Sequence, residues 1–316
     1  MGLPIANSGP NYSNRTVSST APGSRFIPEL WSSKLNVKFY DATVLAAISN
    51  TDYEGEISNY GDKVHIRETP DITIYDYEKG KDLTYDAPES TSLELVIDKG
   101  KHFNFGIDDV DAKQSDLKLM DDWAKDASEQ MKIAVDRDVL ADIYGSVAAT
   151  NTGATAGKIS GNINLGAAGS PLAITKDNIL DYIVDCGTVL DETNTPEEGR
   201  FLVLPAWACG MIKKSDLKDA SIAGDGTSIL RNGRLGMIDR FTIYNSNLLA
   251  YTDETGQNAF HMIGGHKSGL TFASQMTKME TLRHPSRFGD LMRGLNVYGY
   301  EVVKDEQLVH LYGRRG

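Results

Sequence analysis

Apolar residues recur at every second position through the first third of this chain, then at every third or fourth position in its middle. From Asp52 to about Phe105 the alternating sets are Val64 and Ile66, Ile72 and Ile74, Leu83 and Tyr85, and Leu93, Leu95 and Ile97. Mostly polar or charged residues lie between them, which is the pattern of half-buried strands. Asn59-Tyr-Gly-Asp and Glu78-Lys-Gly-Lys-Asp supply turns, with Gly61 and Gly80 free to take positive φ. The stretch reads as a long, charged β-hairpin. A two-stranded ribbon is marginal in water on its own. It needs a surface to lie on, and this points to an intermolecular contact.

The period then lengthens. Leu117, Met120, Ala124, Ala127, Met131 and Ala134 follow helical spacing, Val135, Val139, Leu140 and Ile143 drift to the neighbouring face, and Gly145 ends the run. Asp108 or Asp109 can cap it. A helix over 115–144 would be about 45 Å long at 1.5 Å per residue, long enough to act as a spine. Its acids, Asp116, Asp121, Asp122, Asp126, Asp136 and Asp138, read as a solvated face rather than a metal site. Residues 145–172, rich in Gly, Ala, Thr and Asn, read as a flexible loop or insertion. An αβ unit follows: Thr175 caps a helix carrying Ile179, Leu180, Ile183, Val184 and Leu190, a buried strand spans 201–204, and Pro205 opens another helix. After a polar, Gly-rich loop over 213–228, strands are expected at 235–238, 241–244, 260–263 and 270–273. A final pair, 295–303 and 308–312, closes the chain, and strands so far apart in sequence suggest ends that return to one sheet. There is no internal repeat.

Residues 1–28 are rich in Ser, Asn, Pro, Gly and Thr, with Arg15 and Arg25 unopposed by any acid before Glu29. Such a segment cannot bury enough surface to fold alone, so it is either a disordered tail or an arm that orders against a partner. Pro28 suits the first turn of a short helix whose apolar face is Leu30, Trp31 and Leu35.

Composition narrows the function classes. Of 316 residues, 40% are hydrophobic and 24% charged, which is ordinary globular material, and the net charge of −12 disfavours a main role in gripping phosphate backbones. Cys186 and Cys209 read as small buried thiols, too few for a zinc site. No signal peptide and no membrane-length apolar run is present, so a soluble protein made in a reducing cytoplasm is expected.

Catalytic constellations are largely missing. Gly264-Gly-His-Lys-Ser has the end of a phosphate-binding loop without its preceding glycines. The six histidines (His65, His102, His261, His266, His284 and His310) are dispersed, and His65 and His102 read as packed or surface residues. No catalytic, cofactor-binding or metal-binding residue is assigned.

Three stretches resemble the major capsid (coat) proteins of tailed bacteriophages, the Hong Kong 97-type fold. The first is Phe26-Ile-Pro-Glu-Leu-Trp-Ser-Ser-Lys-Leu with Asp52-Tyr-Glu-Gly-Glu-Ile-Ser and Gly61-Asp-Lys-Val-His-Ile, similar to that family's arm and the opening of its long loop. The second, Phe103-Asn-Phe-Gly-Ile-Asp-Asp-Val-Asp-Ala-Lys-Gln-Ser, resembles the return of that loop into the spine helix. The third is Arg200-Phe-Leu-Val-Leu-Pro followed by Gly233-Arg-Leu-Gly-Met-Ile-Asp-Arg-Phe-Thr-Ile-Tyr-Asn-Ser-Asn-Leu, similar to the axial domain. It departs from the family in having Asp239 and Arg240 where a glycine is usual.

The resemblance implies an α+β fold with an N-terminal arm and short helix (1–35), an extended β-hairpin loop (52–105), and a peripheral domain with spine helix and β-sheet (36–51, 106–150 and 274–316). It also implies an α/β axial domain (173–273), whose loop near Ser221–Ser228 approaches the capsomer axis. Subunit contacts are then expected at Arg15, Arg25, Trp31, Lys79, Lys81, Asp82, Ser221 and Asp225, with Lys79 and Lys81 positioned for the loop-to-neighbour crosslink some relatives make. The implied partners are copies of the chain itself in hexameric and pentameric capsomers, a portal, a decoration protein, and packaged double-stranded DNA touched only weakly and non-specifically. The arm begins almost at Met1, so a separate scaffolding protein is expected. The implied location is the virion, assembled in the host bacterial cytoplasm. The other readings are an encapsulin-like compartment shell, a tail or decoration protein, and a hydrolase with its site between the αβ unit and the long helix.

Overall fold

The computed structural model describes residues 43–52, 63–67, 69–70, 72–83, 85–87, 92–109, 119–215, 236–254, 256–286 and 288–316. The expected arm, its short helix and all but the first three residues of the loop expected over 213–228 lie outside them.

The alternating segment divides between two structures. Strands β1 (Lys63–Arg67) and β2 (Ser92–Val96) pair antiparallel, with Val64 opposite Leu95 and Ile66 opposite Leu93. Strand β3 (Lys99–Asp108) leaves the ribbon and pairs with β11 (Gly289–Val302), which pairs in turn with β10 (Leu270–Arg283). The expectation that the ribbon extends to residue 105 is therefore corrected. Phe103 and Phe105 stack at 6.0 Å, and Phe105 meets Trp123 edge-on at 5.9 Å, so β3 is held beneath the long helix instead.

That helix, α2 (Leu119–Asp142), follows the short α1 (Leu45–Ile48). Its first half is only partly covered, whereas Ile133, Val135, Val139 and Leu140 enter the main core beside Leu45 and Ile48. Asp136, expected on the solvated face, is 4% exposed and accepts the backbone N–H groups of Val44 and Leu45. Asp138 is also engaged: it and Asp142, one turn on, hold Lys101 and Lys99 of β3, and accept from the hydroxyls of Tyr298 and Tyr300 of β11. The acids fasten the helix to the three-stranded sheet.

Residues 145–172 are packed rather than flexible. Ala156 and Leu165 are fully buried, and the Asn151 amide donates to the carbonyls of Glu306 at 2.7 Å and Leu308 at 2.8 Å. Gly166 sits at φ +85°, where a Cβ would fall 2.0 Å from the Tyr312 carbonyl oxygen. The glycine allows this close approach, so small-residue content marks contact here, not mobility.

The second sheet runs β4 (Leu172–Ile174), β12 (Leu308–Arg315), β9 (Gln257–His266), β5 (Arg200–Leu204), β7 (Phe241–Asn245) and β6 (Met237–Ile238), with β8 (Tyr251–Glu254) on β9. Helices α3 (Ile179–Glu192) and α4 (Ala206–Lys214) add Ile183, Cys186, Val189, Ala208, Cys209 and Ile212 to the core. Strand β12 pairs with β4 and β9, so the last part of 274–316 belongs to this sheet and not with the spine. It does not pair with β11, the other member of the expected final pair. The β6–β7 turn holds Asp239 at φ 45° and Arg240 at φ 65°, costly for both residues. Arg240 reaches Asp191 at 2.7 Å and Glu197 at 3.2 Å, and Asp191 also pairs at 2.7 Å with the fully buried Arg200. These ion pairs hold the turn where a glycine would relax it.

Candidate self-association surface

The ribbon is anchored at its base and open at its tip. At the base, Ile66, Leu95, Ile97 and Ala273 form a separate buried cluster with Val64, Leu93, Val297 and Val303 packed around it. Strand β2 crosses β11 at Gly299, where a Cβ would come within 2.2 Å of the Val96 carbonyl oxygen. The closeness of that crossing requires glycine.

Beyond the base, no strand ladder forms over the described residues between 69 and 87. The tip is closed by side chains instead. The Tyr75 hydroxyl donates to Asp86 at 2.8 Å across the two limbs, and Lys81 pairs with Glu78 at 3.0 Å around the turn. Gly80, at φ +90°, makes that turn possible. Ile72, Ile74, Tyr75, Tyr77, Leu83 and Tyr85 are all exposed, Ile74 at 88% and Tyr85 at 91%. Six large apolar side chains on one unsupported ribbon form a patch that isolated surface residues would not.

Of the expected contact residues, Lys79, Lys81 and Asp82 sit on this exposed tip, with Lys81 already engaged by Glu78. Arg15, Arg25, Trp31, Ser221 and Asp225 lie outside the described residues. The charges were singled out from sequence, whereas the large exposed area on the tip comes from the apolar side chains. Their alternation was visible, but only the fold shows that no described residue buries them.

Among the described residues no group of His, Cys, Asp and Glu can hold a metal ion, and no helix is long and apolar enough to cross a membrane. Burial pushes the Cys186 thiol far up and the Cys209 thiol up to about 11, so both stay protonated and inert at neutral pH. A groove of about 410 Å³ on the three-stranded sheet is lined by His102, Asn104, Lys278, Glu280, Arg293 and Leu295. Glu280 is shared there between Lys278 and Arg293, which hold its carboxyl below the usual range. Its charges satisfy one another. Sequence reading did not find that His261 and His310, 49 residues apart, meet in the second sheet.

Comparison with known proteins agrees with this geometry. The family model described as phage capsid protein matches residues 93–309. A solved structure from Mycobacterium phage Che8 is 29% identical, with a TM-score of 0.75 over 90% of this chain and 97% of that one. The capsid structure of cyanophage P-SCSP1u, at 16% identity, gives a TM-score of 0.71 over 96% of this chain and 100% of that one. The capsid of Ralstonia phage GP4, at 12% identity, gives 0.65 over 95% and 99%. No protein with a curated description matches the sequence.

Proposed function

The chain belongs to the phage capsid protein family, and on that premise we propose that its ribbon tip docks on an adjacent copy to close the head shell. Its role is that of a structural subunit, a major capsid protein with the Hong Kong 97-type fold. The exposed apolar tip on a firmly packed base carries the docking proposal. Fully burying a side chain such as Ile, Leu or Tyr is worth about 1.5–3 kcal/mol. The six exposed at the tip would then supply roughly 9–18 kcal/mol as an upper bound. Association costs about 4–15 kcal/mol, so a single ribbon contact lies near balance. Exposed charge pairs at Lys79, Lys81 or Asp82 add only about 0–1 kcal/mol each. A closed lattice multiplies these marginal contacts into a stable shell through effective concentration.

The capsomers are hexamers and pentamers of this chain, built with a separate scaffolding protein and a portal, open to a decoration protein, and assembled in the host bacterial cytoplasm. The net charge of −12 suits a wall that touches packaged DNA weakly and without sequence preference. Residues 36–51 and 106–150 with 274–302 form the peripheral part, and 173–273 the axial part, joined by β12. Electron microscopy of the purified protein, with and without scaffold, tests this: closed icosahedral shells, hexamers or pentamers are expected. A well-behaved monomer at high concentration would overturn it. Denaturing gels of mature particles address the crosslink at Lys79 or Lys81, since a single band at the 34.5 kDa monomer mass excludes one.

A further inference from the structure

The end of the spine helix is joined to the second sheet through two buried imidazoles. His261 on β9 and His310 on β12 face each other, Nδ1 of the first 3.1 Å from Nε2 of the second. Each outer nitrogen meets a threonine hydroxyl, His310 Nδ1 with Thr152 at 2.9 Å and His261 Nε2 with Thr252 at 3.1 Å. Tyr144, in the turn that directly follows α2, stacks on His261 at 3.9 Å, and Tyr312 stacks on it at 4.6 Å. Tyr144 also lies 5.4 Å from His310.

The groups facing the pair can be named element by element. From β12 comes Tyr312, from the turn after α2 Tyr144, from the 145–172 segment Thr152, and from β8 Thr252 with Glu254 behind it. Glu254 accepts from the Tyr312 hydroxyl at 2.9 Å and from the Gly169 N–H at 2.8 Å. None of these partners is a carboxylate bonded to an imidazole.

We infer that the His261–His310 pair is an acid-sensitive joint, whose protonation loosens the attachment of the spine helix's end to β9 and β12. With one N–H between the rings, the neutral pair makes its hydrogen bonds completely. A first added proton leaves those bonds possible but places a charge in a buried site. The tyrosine faces attract that charge and offset part of the cost. A second proton sets two N–H donors head to head across 3.1 Å and breaks the contact. Burial, and then the neighbouring His261, push His310 down to about 4 from 6.5, and burial alone lowers His261. The sign follows: the open form binds protons more readily below 6.5, so the joint weakens as pH falls from 6.5 toward 4. For His310 alone, the opening equilibrium rises about 30-fold at pH 5 relative to pH 8.

The joint lies within one subunit and does not rest on the shell reading. Hydrogen exchange of the full-length protein at pH 8 and pH 5, corrected for intrinsic rates, tests it. Peptides covering 143–152, 250–262 and 308–312 are expected to open at least about tenfold more at pH 5, while the β10–β11 hairpin does not. Equal change in both regions, or none, overturns the inference. His310→Gln places an amide nitrogen near the position of Nε2 without a titrating group, and it is expected to reduce the difference to the smaller part that His261 contributes. A folded H310Q protein that keeps the same acid opening also overturns it. Should that variant fail to fold, the wild-type exchange pattern decides alone.

Discussion

The Asp136 carboxylate, in the buried half of the spine helix, accepts the backbone N–H groups of Val44 and Leu45, the latter at 3.2 Å. Ninety-two residues separate Asp136 from Val44, so one side chain fastens the entry of α1 to the middle of the spine. Burial acts to raise its pKa and prevails over the two backbone hydrogen bonds, which act to lower it. Asp136→Ala leaves two buried donors unsatisfied and is expected to cost roughly 2–4 kcal/mol. Asp136→Asn keeps one acceptor and should cost about half as much. Thermal or denaturant unfolding of both variants checks the order.

The Gly299 crossing should tolerate no side chain. Gly299→Ala drives a methyl against the Val96 carbonyl, and displacement of β2 should cost about 1–3 kcal/mol. Protection of amides in 63–67 and 92–96 should fall more than protection in α3 or β5, as hydrogen exchange would report. Uniform loss would place the damage elsewhere.

Removing the tip's apolar groups separates assembly from folding. Ile74 and Tyr85 are almost fully exposed, so Ile74→Asn with Tyr85→Asn should shift unfolding by no more than about 0.5 kcal/mol. Association, followed by sedimentation and electron microscopy, should weaken or fail. Deletion of residues 70–90 should do the same more severely. Assembly at wild-type yield in both would refute the docking role of the ribbon.

Asp191 should carry part of the acid limb of stability. Burial acts to raise its pKa, but hydrogen bonds and charge from Arg240 and Arg200 outweigh it and hold the carboxyl below the usual range. A depressed folded value stabilises above the ordinary carboxylate pKa, and that contribution is lost as pH falls through the depressed value. Asp191→Asn is expected to cost about 1–3 kcal/mol at pH 7, discounted because the carboxylate is partly solvated. Its stability should also vary less with pH than the wild type between about pH 5 and pH 2. Unfolding measured across that range checks both.

Local patterns were legible wherever one face of an element meets one environment. The change of period after Phe105 marked to within a few residues the end of β3 at Asp108, and continuous apolar runs such as Phe201 to Leu204 announced buried strands. Gly80 and the residues around it announced the ribbon's turn for a local reason, since positive φ is a property of one residue. Asp136 shows where such reading stops. At helical spacing it looks like its neighbours Asp121 and Asp122, and only a segment arriving from 92 positions away turns it into a buried cap. The glycines of 145–172 misled in the same manner, because close approach and flexibility demand the same residue.

The sequence by itself determined which segments are extended and which are helical, and that a ribbon this polar and narrow is marginal alone, because these depend on short-range periodicity and composition. Tertiary structure decided what long-range pairing alone can decide. It moved β3 out of the ribbon and under Trp123, sent β12 to the second sheet, and closed His261 against His310. Among the described residues it also left Ile72, Ile74, Tyr75, Tyr77, Leu83 and Tyr85 exposed. Burial is a property of the whole fold, so no local pattern distinguishes an apolar residue that waits for a neighbouring copy from one already packed at home.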